Sequence, residues 1–355
     1  MRIPLAGNVK QSTVDGALYK ALASSRVSRL ADLSDEVVEV DLSAATWLDL
    51  GALMWLVPVL SRLRSQGNLL RLVLPRRDEN STADNLWSFL QRWRYFDILR
   101  MCVDDPVNLL SREQRPYLDQ IGKYQRARGV DASGRSTEFH SLGRLEIGIL
   151  PASTDLGSAL ESEISTFNEP LATSTLRIIC GWSADEVKDF VSVMVPHALR
   201  NVTHGRGSFA LVGTRLDNRQ LHFVVADNGI GIPSLLRTAL AQHVSDPSVR
   251  DSALIEYFAD RDLVESSIRE ILDSDLVVAS TEQAITSHPD PERRYGYGLY
   301  YLKRRVLARG GEVRIRSGSA VVTFHRKGVR HEDGLVESPG TTLRLLLPVQ
   351  RGGGE

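Results

Sequence analysis

The chain of 355 residues is long enough for two domains of ordinary size, and 42% hydrophobic with 25% charged residues is typical of a globular protein. Its 43 basic and 44 acidic residues leave a net charge of -1, which argues against overall attraction to nucleic acid or to an anionic membrane. The two cysteines, Cys102 and Cys180, lack CxxC spacing, which argues against a disulfide framework or a zinc site. No apolar run reaches about 18 residues, so we expect a cytoplasmic protein that does not span a membrane.

The first part of the chain predicts a small α/β arrangement. Residues 1–30 are weakly patterned, with a helix expected over residues 15–29. The elements predicted next are a strand (37–42), a loop (43–49), a helix (51–64) ended by Gly67-Asn68, and a second strand (69–74). Two strands joined by a helix make a right-handed βαβ unit with parallel strands. We interpret Met54 and Trp55 on the helix as core residues rather than site residues.

The stretch VVEVDLSAATWLDLGAL resembles the STAS domain of anti-sigma-factor antagonists, and the resemblance covers residues 30–100. That family has an apolar strand, DLS, a short gap and Asp-Ser-Ser-Gly-Leu at the start of a helix. The residues that fit this pattern are Asp41, Leu42, Ser43 and Asp49. Leu50-Gly51 follows Asp49, so the serine that the family phosphorylates is missing, which favours a docking or scaffold role. The aromatic, amphipathic segment 86–99 suits either the closing helix of such a domain or a partner interface, and we favour the helix.

The predicted domains are 1–105 (STAS-like), 106–156 (connector) and 157–350. The connector is rich in Arg, Gln and Gly, with a polar helix expected over 111–128 and a strand over 144–150. Its basic residues alternate with acidic ones, which indicates a solvated surface rather than a nucleic-acid-binding stripe.

A helix is predicted over residues 185–205 from the spacing of its apolar residues. His197, Asn201 and His204 lie on one stripe of this helix, where they could hold a ligand or simply face solvent. Pro196 removes an amide donor and predicts a kink just before His197.

The run LHFVVADNGIGIP, residues 221–233, predicts a strand that ends at Asp227 followed by a glycine-rich turn. Gly229 and Gly231 permit positive φ and close approach of a flat ligand to the main chain. An ordinary Asp/Asn/Gly turn is an equal interpretation of this motif when it is taken alone.

The segment 234–294 is polar and compatible with helices, and it predicts either a lid or, for part of it, core helices. Gly296-Tyr297-Gly298 then opens a helix from Leu299 to Ala308, which Gly310-Gly311 ends before a strand over 312–316. A glycine-rich turn at a helix N-terminus presents free amides that suit phosphates. A closing strand is predicted over 338–349.

The order of these motifs resembles the GHKL (Bergerat) ATP-binding fold over residues 157–350. The order is a helix with Asn, a strand ending in DxGxGI, a variable segment, GxGL opening a helix that ends in GG, and a last strand beginning with GT. The resemblance implies a Bergerat α/β sandwich with a mixed sheet following the STAS-like βα domain. The chain has no GxxxxGK[ST] P-loop, and its glycines do not follow a first βαβ strand as a Rossmann fingerprint requires.

The resemblance also implies roles for individual residues. Asp227 matches the carboxylate that accepts from the adenine amine, Asn201 matches the Mg²⁺ ligand, and the remaining nucleotide-binding matches are Gly229, Gly231, Gly296, Gly298, Leu299 and Thr341. Three nearby cationic side chains could bind phosphate, but the favoured interpretation of each is that it is exposed to solvent. They are Arg293, Arg294 and Lys303.

His197 stands four residues before Asn201, where the ATPase branches of the family carry a water-activating Glu. A histidine could act as a general base there, which makes it the candidate catalytic residue. No phosphoacceptor helix pair precedes the domain, so a typical histidine kinase is not expected.

These patterns predict a regulatory protein that binds ATP and Mg²⁺, in which ATP orders a lid and thereby controls an unidentified protein partner. Slow ATP hydrolysis or Ser/Thr phosphorylation of the partner would be its activity, and a homodimer is left open. The alternative is a nucleotide-sensing scaffold without turnover. A third hypothesis is a DNA-processing ATPase of the same superfamily. The nearly neutral net charge and the lack of a transducer-like domain after the site argue against it.

Overall fold

The computed structural model describes residues 1–75, 86–87, 90, 95–102, 148–151, 176–177, 180–198, 209–216, 220–246, 252–260, 264–285 and 297–349. Contacts divide the chain into an N-terminal unit (Met1–Ile149 with Gly213–Arg215) and a C-terminal unit (Leu150–Val212 with Leu216–Glu355). Both units combine helices and strands, so the predicted α/β class is confirmed, while the STAS and Bergerat topologies stay predictions. Among the described residues, no helix has the length and apolar character needed to cross a bilayer.

The N-terminal unit contains a three-stranded parallel sheet. Its elements in chain order are β1 (Arg2–Val9), α1 (Gln11–Ser24), β2 (Val37–Leu48), α2 (Leu50–Ser65), β3 (Leu69–Val73) and α3 (Tyr95–Cys102). Strand β2 is central and pairs in parallel with both β1 and β3. The predicted pair of parallel strands joined by a helix is therefore confirmed.

Helix α2 forms the centre of the core of this unit. Twelve of its sixteen residues are buried, which means that it is covered on every side. Met54 and Trp55 are fully buried, as predicted for core residues. Helix α3 packs against α2, and the buried ring of Trp87 stacks on Phe96 at 5.9 Å between centroids. The described part of segment 86–99 is thus a packed part of the unit, which supports the closing helix over the partner interface.

Two predictions for this unit are wrong. The first helix spans Gln11–Ser24 instead of 15–29, and the strand β1 before it was not predicted. The loop expected over 43–49 is instead a continuation of β2 to Leu48. Strand β1 contains Pro4 and Gly7, which normally argue against a strand. They are tolerated because β1 is an edge strand whose pairing with β2 shifts register beside both residues.

The two aspartates that match the STAS pattern have structural roles here. Asp49 is the N-cap of α2, and its carboxylate accepts from the backbone N–H of Ala52 at 2.6 Å. Asp41 accepts from the backbone N–H of Ser43 at 2.9 Å and from the guanidinium of Arg2. These bonds explain both residues without a phosphorylation switch.

Asn68 joins the end of α2 to the segment that precedes β2. Gly67 ends the helix with φ +84°, and the buried Asn68 side chain follows it. Its amide nitrogen donates to the carbonyls of Leu33 and Leu63, both at 2.8 Å, and its amide oxygen accepts from the N–H of Glu36 at 3.0 Å. One side chain therefore bonds three main-chain groups, of which the Leu63 carbonyl also accepts from the N–H groups of Gln66 and Asn68.

We expect Asn68→Ala to destabilise the N-terminal unit by about 2–4 kcal/mol, because it leaves buried donors and acceptors without hydrogen bonds. Tryptophan fluorescence in urea reports this unit, since four of the five tryptophans lie before residue 100. The exposed Ser65, whose hydroxyl donates to the carbonyl of Arg62 within the same helix, provides the control Ser65→Ala with little change. Equal urea midpoints for the two variants would contradict this role of Asn68.

The C-terminal unit contains strands β6 to β10 of a larger sheet whose strand order is β4-β5-β6-β10-β7-β8-β9. The strands are β4 (Gly148–Pro151), β5 (Phe209–Leu216), β6 (Gln220–Asp227), β7 (Glu312–Gly318), β8 (Ala320–His325), β9 (Gly328–Glu332) and β10 (Ser338–Pro348). The helices are α4 (Ala184–Asp189), α5 (Ile232–Ser245), α6 (Ser252–Tyr257), α7 (Glu265–Glu270), α8 (Asp273–Ala279) and α9 (Gly298–Ala308). The pairs β6–β10, β10–β7, β7–β8 and β8–β9 are antiparallel, so the expected mixed character of the sheet is not present in these four pairs.

The predicted strands and helices near the motifs are largely confirmed. Strand β6 ends at Asp227, helix α9 begins at Gly298, and Gly310 follows that helix with φ +73°. The hairpin of β8 and β9 was not predicted, although AVVTFH has the composition of a strand. Predicted elements over 111–128 and 199–205 lie outside the described residues.

A π-helical turn over Phe190–Met194 lies directly after α4 and shortly before Pro196, while the kink expected just before His197 stays a prediction. There the N–H of Val195 donates to the carbonyl of Phe190, a bond that spans five residues instead of four. Since proline has no N–H to continue the α-helical pattern, the wider turn accommodates it. Helical structure then continues through His197 to Ala198.

Helices α5 to α8 form a packed subdomain, and for these helices the structure supports core helices over a lid. Buried apolar side chains from these helices and the turns beside them form one cluster, comprising Leu236, Leu240, Leu254, Phe258, Ile268, Ile271, Leu276, Ala279 and Ile285. Helices α5 and α8 both contact β7 of the sheet. A segment that shares a core with the sheet is held by hydrophobic burial and does not open without losing it.

Candidate functional site

Asp227 lies at the end of a strand that is buried along nearly its whole length. Seven of the eight residues of β6 are buried, which requires cover on both faces of the sheet at this strand. Strand β10 pairs with β6 so that Thr342 lies opposite Ala226, the residue before Asp227. The sheet therefore brings the closing strand of the chain beside the carboxylate predicted to read adenine.

The Asp227 carboxyl is held almost entirely out of water, with 3% of the residue exposed. Its Oδ1 accepts from the backbone N–H of Gly229 at 2.7 Å, and the backbone N–H of Thr341 also donates to the carboxylate. Burial raises the pKa of Asp227 to about 7, and these two hydrogen bonds oppose the shift. A ligand that donates a further hydrogen bond would favour the ionised form at neutral pH.

The bond from Gly229 is an Asx turn, which is the local arrangement that the ordinary-turn interpretation predicts. The bond from Thr341 is different, because it comes from a residue more than a hundred positions away in the sequence. Asp227 is consequently fixed both by its own turn and by the neighbouring strand. A local turn alone does not explain this burial.

Gly340 allows β10 to approach Asp227 closely. Its φ is +112°, and a Cβ at this position would overlap the main-chain carbonyl of Asp227 and come within 2.7 Å of its Oδ1. A side chain there is excluded by both conformation and space. The glycine before Thr341 is thus required for the contact between β10 and the carboxyl group.

Ser317 is a central residue of the site that the sequence analysis missed. Its buried hydroxyl accepts from the N–H of Ile232 at 2.9 Å, and its Oγ lies 2.9 Å from Thr341 Oγ1 and 3.4 Å from the carbonyl of Gly340. The sequence feature that could have indicated Ser317 is RSGS at the end of β7. In the structure Ser317 lies opposite Thr341 in the register of β7 and β10. Ser317 links the start of α5 to the closing strand.

Gly231 is required by this network as well as by any ligand. It has φ +80°, and a Cβ there would lie 3.0 Å from Ser317 Oγ. The close approach of a flat base is one reason for a glycine at this position, and the contact with Ser317 is a second reason that lies within the protein itself. Gly231 precedes the first residue of α5, where its conformation turns the chain from the end of β6 into the helix.

A second group of predicted residues meets at the start of α9. The helix opens with Gly298 and Leu299, and the ring of Tyr301 stacks on His197 at 6.3 Å and on Tyr297 at 5.8 Å between centroids. His197 is half-buried and uses a ring face for packing. The candidate catalytic residue His197 therefore packs against the start of α9. The contact is made by Tyr301, which was not among the predicted site residues.

The sequence favoured a solvent-exposed side chain for Lys303, and this prediction is wrong. Only 14% of its side chain is exposed, and its ammonium lies 2.8 Å from Glu282 Oε1 and 3.0 Å from Thr281 Oγ1. It also lies 5.2 Å from the centre of the Phe324 ring. These contacts tie α9 to the turn after α8, which is a structural role.

The predicted Mg²⁺ ligand Asn201 lies outside the described residues, as do Gly296, His204, Arg293 and Arg294. Within the described ranges, no three His, Cys, Asp or Glu side chains form a group that could hold a metal ion. Among the described residues predicted for the site, Asp227 offers a buried hydrogen-bond acceptor.

Comparison of the sequence with models of known protein families gave no match, and comparison with curated proteins gave none.

We expect Gly340→Ala to destabilise the C-terminal unit by about 3 kcal/mol or more, because its Cβ meets the backbone of Asp227 and cannot be accommodated by rotation of a side chain. Gly328 is a matched control, since it has φ +134° and a Cβ added there would have no neighbouring atom within 4 Å. Gly328→Ala should cost only the conformational strain, about 1 kcal/mol. Thermal unfolding of both variants measures the difference, and similar losses would show that close approach at Gly340 is unimportant.

We expect Asp227→Asn to stabilise the ligand-free protein above pH 7 by on the order of 1–3 kcal/mol. The unfolded carboxyl ionises near pH 4 and the folded one near pH 7, so folding becomes less favourable as the pH rises between these values and levels off above them. The amide has no such ionisation, and its advantage should shrink as the pH falls towards 4. Calorimetric unfolding across this range tests the sign, and a pH-independent difference between variant and wild type would contradict it.

Proposed function

We propose that the C-terminal unit binds ATP with Mg²⁺ as a GHKL-type module and that a STAS-like N-terminal unit serves as its docking part. The protein would regulate an unidentified protein partner in the cytoplasm according to whether nucleotide is bound. The observation that carries the proposal is the buried carboxyl of Asp227, held by main-chain amides at the end of β6. A charged acceptor in such a place matches a ligand with a hydrogen-bond donor.

The chemistry of Asp227 favours adenine over guanine. The exocyclic amine of adenine donates a hydrogen bond to the carboxylate, whereas guanine presents a carbonyl oxygen at the same position. An oxygen facing Asp227 would leave two acceptors opposed in a buried site, which costs affinity. The ordering of a nearby segment by bound ATP would then alter the surface offered to the partner.

His197 favours binding without rapid turnover as the second candidate function. The family resemblance puts this residue where ATPases hold a Glu, and here its ring packs on Tyr301. A ring whose position is restricted by packing on Tyr301 would have less freedom to reach and activate a water molecule. In this alternative the protein senses nucleotide, and its output is a change in partner affinity.

Calorimetric titration with adenosine, Mg-ATP and Mg-GTP separates the parts of the proposal. Wild type should bind adenosine and Mg-ATP, and Mg-GTP at least about tenfold more weakly. Asp227→Asn should weaken adenosine and Mg-ATP alike, because both present the same amine. Asn201→Ala should weaken Mg-ATP alone, because adenosine has no phosphate for the metal. The exposed Asp185 provides the control Asp185→Asn, which should bind as wild type.

The same preparation distinguishes an enzyme from a sensor. Accumulation of ADP that His197→Ala abolishes supports hydrolysis with His197 as base, and stable Mg-ATP binding without ADP supports the sensor. Failure of the wild type to bind either adenosine or Mg-ATP would remove the proposed function altogether.

A further inference from the structure

A separate cavity of about 450 Å³ opens between α6, α8 and β9 in the C-terminal unit. Its apolar walls are the rings of Tyr257 and Phe258, which meet edge to face at 5.0 Å, and the side chains of Val278 and Val329. The volume is in the range of sites for small organic ligands. None of the residues that surround Asp227 lines this cavity.

The polar lining of the cavity is acidic. Asp260 and Asp275 contribute two carboxylates, and His331 is the one described lining residue that can carry a positive charge. Arg330 lies between Val329 and His331 on β9, so the alternation of a strand directs its side chain to the opposite face. Aromatic rings beside carboxylates attract an organic cation through both charge and cation–π interaction.

The walls of the cavity are held in place by other contacts. Asp273 at the start of α8 accepts from Ser319 N at 2.5 Å and forms an ion pair with Arg237 at 2.6 Å. Asp333, directly after β9, accepts from the N–H of Ser274 at 3.0 Å. These bonds join α8 to the β7–β8 turn and to the end of β9. The cavity is therefore formed before any ligand enters, which reduces the entropic cost of binding.

The cavity is accessible from solvent. Two of the residues that line the cavity are largely exposed, Tyr257 by 41% and Val329 by 48%. All five residues of β9 are exposed, and β9 is the last strand of the sheet order. A ligand can thus reach the carboxylates across the outer strand, either as a free molecule or as a side chain of an extended segment running beside β9.

We propose that this cavity binds an alkylguanidinium or alkylammonium group. The cation lies at Asp260 and Asp275, and the apolar stem packs against Tyr257, Phe258 and Val278. The same group occurs in free amines and in arginine side chains, and the site recognises the chemistry that the two share. This binding is independent of the nucleotide site proposed above.

Calorimetry on the full chain at low salt tests the proposal with two probes. The first is agmatine, a free alkylguanidine, and the second is the capped peptide Thr-Val-Arg-Val-Thr, with citrulline replacing arginine in its neutral control. We expect one site per chain, and affinity that falls as salt is added. Asp260→Asn combined with Asp275→Asn should weaken binding by about tenfold or more. Asp185→Asn, remote in sequence and exposed, should leave it unchanged, and circular dichroism confirms that each variant is folded.

The outcomes separate the two sources of the cation. Binding of agmatine that the double variant loses supports a free amine as ligand, and preferential binding of the arginine peptide over its citrulline control supports an extended segment. The cavity-filling variant Val278→Phe should abolish either kind of binding while the carboxylates remain. Absence of binding by both probes, or binding unchanged in the folded double variant, would overturn the proposal. Equal binding of the citrulline peptide would overturn it for an extended segment.

Discussion

The geometry of the proposed site in the C-terminal unit is organised around one carboxyl group, that of Asp227, which is removed from water. A buried carboxylate is costly unless main-chain or ligand donors replace the lost hydration. Here Gly229 and Thr341 supply two amides, and Gly340 lets β10 come close enough for the second. The pKa of Asp227 is nevertheless raised to about 7, so this solvation is incomplete without a further donor. A buried carboxyl group that lowers the stability of the free protein is expected at a binding site, where a ligand can donate the missing hydrogen bond. This is the physical argument for the site proposed at Asp227.

The closing strand of the chain gives this site its form. Because β10 lies between β6 and β7, it contributes an amide to Asp227 on one side and a hydroxyl to Ser317 on the other. Ser317 in turn holds the first N–H of α5, so the helix that follows the glycine turn begins at a fixed point. The nucleotide-site proposal therefore involves three separate strands, and its geometry requires the whole sheet to be folded.

The turn between β7 and β8 contacts both of the sites proposed for this unit. Ser317 belongs to the network at Asp227, and Ser319, two residues later, donates to Asp273 at the start of α8. Helix α8 also provides Asp275 and Val278 to the acidic cavity. Gly318 between the two serines has φ +57°, and a Cβ there would meet both Asp273 and Pro233. One short turn thus fixes the walls of a cavity for cations and the surroundings of a carboxyl group proposed to read adenine.

The sequence by itself determined the elements whose signals are local. The apolar run of α2, the strand that ends at Asp227 and the glycines around α9 follow from periodicity, composition and positive φ, so they were predicted close to their observed positions. Only the tertiary structure decided the rest. Strand β1 is stable despite Pro4 and Gly7 because an edge strand needs few of its own amides, and Lys303 is buried because Glu282 lies beside it. The importance of Ser317, and the raised pKa of Asp227, depend on strands far apart in sequence, which no local pattern encodes.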